Sequence, residues 1–159
     1  MKIVVEGYDA TGKSTLAQAL AEMLGLDLVE AGPKPPSDLD AICDGINQLR
    51  MKNVVHSRIT PVSRQAYQFD ISDYHRSTLS DILARFVDIG AIFIYCVNTD
   101  NEDHELKDYD TPEHIEHITS NKSTICEHYD VLMEGIPHIR YDFRVNTIEE
   151  VLCKIADRS

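Results

Sequence analysis

Residues 7–15 are Gly7, Tyr8, Asp9, Ala10, Thr11, Gly12, Lys13, Ser14 and Thr15, and the first eight follow the spacing G-x-x-x-x-G-K-[ST] without a mismatch. Each residue type in that pattern has a task at a polyphosphate. The glycines let backbone N–H groups curl around phosphate oxygens, and a helix starting there adds the positive end of its dipole. Lys13 is placed to bridge the β- and γ-phosphates, and the Ser14 hydroxyl to ligate Mg²⁺. The stretch predicts a site for the phosphates of a nucleotide and for Mg²⁺. Two acids complicate it, because Glu6 and Asp9 stand beside a ligand that is itself anionic.

The loop must be held between a strand and a helix, and the flanks supply both. "KIVVE" is a β-branched, nearly all-apolar run, the pattern of a strand buried on both faces. "STLAQALAEMLG" has helical periodicity with Gly25 as its stop. Further strands are predicted at "LDLVEA", "NVVHS", "AIFIYCV" and "HIRYDF". Helices are predicted from a Ser37 or Asp38 cap to about Lys52, at "SRQAYQF", at "STLSDILARFVDIG", and as one long helix opened by Thr111-Pro112. Thr147 and Glu150 form a capping box for the last helix. Strands alternating with helices predict an α/β fold, a five-stranded parallel sheet with helices on both faces, in one domain spanning residues 1–159.

Composition narrows the partners. The 159 residues include no apolar run approaching the ~18 needed to cross a membrane, and the N-terminus lacks a signal-peptide pattern. Cys43, Cys96, Cys126 and Cys153 have no CxxC spacing and read as reduced thiols, so a cytoplasmic location is expected, the host cytoplasm if the protein is viral. The formal charge of −12 argues against a nucleic-acid partner. Residues 50–85 run the other way, with Arg50, Lys52, Arg58, Arg64, Arg76 and Arg85 against only Asp70, Asp73 and Asp81. By spacing alone that segment reads as a solvated helix face. His114 and His117, near His104, have a metal-like spacing but lie in an acidic stretch without cysteine, and also read as a solvated face.

"VVEGYDATGKSTLAQAL" resembles the opening of thymidylate kinases and of the small phage-type deoxynucleotide kinases, P-loop kinases whose loop reads Glu-Gly-x-Asp-x-x-Gly-Lys-Ser-Thr. "SRITPVSRQAYQ" is similar to their Asp-Arg segment, "YDTPEHIEHITSNKSTICEHYDVLM" to the helix after their lid, and "IRYDF" to their last strand. The resemblance implies a phosphotransferase using ATP and Mg²⁺, with a deoxynucleoside monophosphate as acceptor. It implies that Asp9 faces the acceptor sugar and that Arg58, with Arg64 nearby, holds the acceptor phosphate. Tyr67 or Phe69 would line the base pocket. Lys13, Asp9, Glu6 and Arg58 are the implied catalytic group. Glu6 sits near Mg²⁺ and the transferred group, or caps the loop's own N–H groups. The acceptor side spans about 50–85 and the lid about 98–110. Thymidylate kinases are usually homodimers, which extends the analogy to assembly.

Two positions depart from the family. Ser57 replaces the Asp before the Arg, and residues 98–118 carry Lys107 as the only Lys or Arg among eight acids where arginines are expected. Arg76, Arg140 and Arg144 are the alternative sources. Loss of a carboxylate matters less to a monophosphate, whose second pKa of about 6 makes it a ready nucleophile. A hydroxyl acceptor needs a base worth about 10²- to 10⁴-fold. Ser57 therefore tilts the reading toward a monophosphate. A second reading makes the chain a phage DNA-modifying kinase acting on the hydroxymethyl group of hydroxymethyluracil in DNA, using the basic stretch and Glu6 or Asp9 as base. A third makes it an inactive nucleotide-dependent switch or binding module. No Asn-Lys-x-Asp guanine motif is present.

Overall fold

The computed structural model describes residues 1–9, 11–97 and 111–158. In chain order these form β1 (Lys2–Glu6), α1 (Lys13–Leu24), β2 (Asp27–Glu30), α2 (Asp38–Arg50), β3 (Val54–Ser57) and α3 (Thr60–Tyr67). They continue as α4 (Asp73–Asp88), β4 (Ile92–Cys96), α5 (Pro112–Ser120), α6 (Lys122–Glu134), β5 (His138–Tyr141) and α7 (Ile148–Arg158). The five strands lie in the order β2-β3-β1-β4-β5, all parallel, as the alternation of strands and helices predicts.

β1 is central and buried at all five positions. Its alternating side chains feed two cores. Val4 joins Phe86, Phe93, Ile118 and Tyr129 on one face, whereas Ile3 and Val5 join Leu16, Leu20, Ile94 and Ile155 on the other. Burying each such side chain is worth about 1.5–3 kcal/mol, so a charge at Val4 would unseat the strand that carries the loop. Among the described residues no helix is long and apolar enough to cross a membrane, and all four cysteines are unpaired.

Caps fix the helices that approach the site. Ser37 accepts the Asp40 N–H (3.1 Å) at the start of α2. At its other end the buried Lys2 ammonium donates to the carbonyls of Gln48 (2.5 Å), Leu49 (3.2 Å) and Met51 (2.6 Å), a cation on the negative helix terminus. The capping box at α7 forms by half: Thr147 accepts the Glu150 N–H (3.2 Å), but the Glu150 carboxylate goes to Asn146 (3.2 Å).

The predicted long helix is two, α5 and α6, broken at Asn121 (φ −112°, ψ 18°). The Tyr8 hydroxyl donates to the Ile118 carbonyl (2.8 Å), which an unbroken helix would pair with residue 122, and the Asn121 side chain donates to the His117 carbonyl (2.9 Å). The break thus ties α5 to the glycine-rich loop.

Candidate active site

The loop follows β1 at the C-terminal edge of the sheet. A Cβ at Gly7 would lie 2.3 Å from the Cys96 carbonyl oxygen, so only glycine fits there. Gly12 is left-handed (φ 76°) and starts α1 with no side-chain cap and no acid in the first turn. An uncapped helix start without an acid in its first turn is the fit a polyphosphate requires. Thr11 turns inward and donates to the Tyr8 carbonyl (2.7 Å), stiffening the loop. Ser14 and Thr15 are exposed on the first turn, where the Ser14 hydroxyl would hold Mg²⁺ and the metal would neutralise phosphate charge. Ala10 lies outside the described residues.

Lys13 and Asp9 are paired at 3.6 Å. Asp9 is also held from the acceptor side, because the Tyr67 hydroxyl donates to its Oδ1 (2.8 Å) and the Asp9 N–H donates back to that hydroxyl (3.2 Å). Asp9, Lys13, Ser14, Glu30, Ser57 and Arg58 all line one cavity of about 650 Å³. A smaller cavity of about 100 Å³ opens beside it, walled by Asp44, Gln48, Thr60, Arg64, Tyr67 and Gln68. Arg58 and His114 line both.

Arg58 is half-buried with a left-handed backbone (φ 77°), rare for a residue with a Cβ. Burial works against its charge, yet the surrounding Tyr129, Tyr67, Glu6 and Asp9 groups outweigh it and hold its pKa above the ordinary value. Glu6 is completely buried and lines neither cavity. It does not cap the loop's own N–H groups, since its Oε2 accepts the Ile59 N–H (2.8 Å). Burial pushes its carboxyl up to about 8, against the opposing Ile59 N–H, Arg58 and Lys13. Asp9 is the acid of the loop that meets Lys13 and Tyr67 directly.

The remaining predicted residues fall differently. Arg64 lines the smaller cavity, but its guanidinium is engaged by Asp38 (3.0 and 3.3 Å) and the Pro35 carbonyl (2.8 Å). Phe69 lines neither cavity; it is exposed and packs on His117 and His128, each at 5.2 Å. His114 and His117 are not a solvated face. Both line the smaller cavity, and His117 Nε2 donates to the Tyr67 carbonyl (2.7 Å). No group of three metal-ligating side chains occurs among the described residues. The predicted lid at about 98–110 lies outside the described residues. Of the alternative arginines, Arg144 stacks on Phe143 (5.4 Å), whose ring is 3.3 Å from a Cβ placed on Gly12.

Sequence reasoning missed Glu30. The parallel register sets it opposite Ser57, so a carboxylate stands one strand away from the position where Ser57 replaced one. Nothing in the sequence around residue 30 signals this; only the strand pairing brings it to Ser57.

The fold is shared with solved structures at low identity. YorR from Bacillus subtilis, in complex with phosphorylated GDP, is 18% identical with a TM-score of 0.67, over 99% of this chain and 94% of that one. A deoxyadenosine kinase from M. mycoides with dCMP and dCDP bound is 16% identical with a TM-score of 0.56, over 100% of both chains. Shikimate kinase from Aquifex aeolicus is 15% identical with a TM-score of 0.59, over 99% of this chain and 95% of that one. No protein-family model and no curated protein sequence matches the chain. Fold and loop together define the class: an α/β chain with the fold of the P-loop kinases.

Proposed function

We propose that the chain is an ATP-dependent phosphotransferase whose acceptor is a deoxynucleoside monophosphate. The observation that carries this reading is Arg58. Its side chain lines both cavities and so stands at their junction, with Asp9 and Lys13 lining the larger one beside it. Lys13 would leave Asp9 for the donor phosphates, and Tyr67 would keep Asp9 aimed at the acceptor sugar. Arg58 and Arg64 both turn into the acceptor region, which removes them from any basic stripe tracking a DNA backbone and supports a small acceptor.

One observation favours a hydroxyl acceptor instead, in a nucleoside or on a hydroxymethylated base in DNA. Glu30, across from Ser57 and in the same cavity as Lys13, is a carboxylate positioned to take a proton. The deciding experiment offers labelled ATP to nucleosides, monophosphates and DNA with and without hydroxymethyluracil, using wild type and Glu30→Gln. Transfer to monophosphates that survives Glu30→Gln supports the first reading. Transfer to hydroxyls only, falling about 10²- to 10⁴-fold in Glu30→Gln, supports the second. No transfer to any acceptor refutes both.

A further inference from the structure

We infer that Glu6 is a positioning residue whose buried side chain, by holding the Ile59 N–H, fixes the left-handed turn that aims Arg58 between the two cavities. The functional half of this rests on the phosphotransferase reading; the structural half does not.

β3 ends at Ser57 and α3 begins at Thr60, so only Arg58 and Ile59 connect them. Both are fastened to the end of β1. The Arg58 N–H donates to the Val5 carbonyl (2.9 Å), and the Ile59 N–H donates to Glu6 Oε2 (2.8 Å). Between these fixed points Arg58 takes φ 77°. A left-handed residue with a Cβ is strained and persists only where its surroundings impose it. The pair of hydrogen bonds is that imposition, and Glu6 supplies the half that a side chain controls. Releasing Ile59 would let Arg58 relax to an ordinary backbone and swing its guanidinium out of register with Asp9.

The same geometry argues against Glu6 as the base. A base must touch the proton it removes, and Glu6 is wholly buried and lines neither cavity. Burial also pushes its carboxyl up to about 8, against the pull of the Ile59 N–H, Arg58 and Lys13. A neutral carboxyl offers one carbonyl oxygen to Ile59, and a glutamine offers the same. Its second oxygen finds no hydrogen-bond partner among the described residues, nor does the nearby Tyr129 hydroxyl.

The test compares Glu6→Gln with Glu6→Leu for acceptor and ATP binding, kcat, its pH profile, and hydrogen exchange of the Ile59 amide. Glu6→Gln should keep kcat and acceptor affinity within about threefold of wild type, because the acceptor for Ile59 survives. Glu6→Leu should weaken acceptor binding about tenfold or more with ATP affinity unchanged, and should expose the Ile59 amide to exchange. A kcat loss of about 10²-fold or more in Glu6→Gln at unchanged acceptor affinity would overturn the inference in favour of a base. So would an Ile59 amide equally protected in Glu6→Leu. Should the leucine variant not fold, the glutamine variant and its pH profile decide alone. Should wild type transfer phosphate to nothing, ATP binding and Ile59 exchange still test the clamp while the proposed function fails.

Discussion

Tyr67 and Asp9, from the third helix and the phosphate loop, hold each other through two hydrogen bonds of 2.8 and 3.2 Å, with donor and acceptor roles exchanged between side chain and backbone. Burial raises the Tyr67 hydroxyl well above its usual pKa, with Tyr129 and Asp9 adding to the shift, so it stays a donor at any working pH. The acceptor side and the donor side thus share one rigid contact. Tyr67→Phe removes a hydrogen bond to a charged group, worth about 1.5–3 kcal/mol. Acceptor affinity should fall about 10- to 100-fold while ATP affinity changes little, as calorimetric titration with each ligand would show.

Lys13→Ala should leave the fold intact and remove most phosphoryl transfer, by about 10²-fold or more, since the lysine acts through charge on the transferred group. The variant also leaves Asp9 without its 3.6 Å partner. Single-turnover kinetics on a variant with native circular dichroism is the measurement; undiminished turnover would remove the kinase assignment.

Arg64→Lys should be far from conservative. The guanidinium bonds Asp38 twice and the Pro35 carbonyl once, pinning the segment that joins the second strand to the second helix. An ammonium cannot serve that fork. Stability should drop by roughly 1–3 kcal/mol in urea, with weakened acceptor binding because the same segment walls both cavities.

Stability should respond to pH through two buried groups with opposite signs. Glu6 has a folded value of about 8 against an ordinary 4.5, so its contribution is complete below 4.5 and is lost as pH rises through 8. His56 is depressed to about 4 from 6.5 by burial and then by the Lys2 charge, so its contribution is complete above 6.5 and is lost as pH falls through 4. Each slope is about 1.4 kcal/mol per pH unit, and between 4.5 and 6.5 the two oppose each other. Glu6→Gln should therefore flatten the alkaline decline, and His56→Leu the acid one, in denaturation series from pH 4 to 9. Unchanged slopes in both variants would show that neither group titrates as placed.

The phosphate loop was legible because backbone geometry dictated residue type: Gly7 has no room for a Cβ, and Gly12 needs a positive φ. The strands were legible because burial on both faces made them apolar throughout. What escaped were relations created by the parallel register and by side-chain reach. Glu30 meets Ser57 only because their strands pair, and nothing local to residue 30 announces it. The break at Asn121 carries no glycine or proline; it follows from a hydroxyl at Tyr8, remote in sequence. Phe69 was placed in a pocket by its type, whereas its neighbours Tyr67 and Gln68 face the cavity and it does not. His114 and His117 were read as solvated because the acidic stretch around them hid a helix packed on the acceptor wall.

The central place of the first strand also has a cost during synthesis. Residues 2–6 pair only with residues 54–57 on one side and 92–96 on the other. As the chain leaves the ribosome, this apolar segment has one edge open until residues 54–57 have been made and the other until residues 92–96 have. Closure of these distant pairings should govern the folding rate, and β1 is the segment a chaperone would meet exposed. The binding loop, hung from that strand, can form only once the sheet has closed around it.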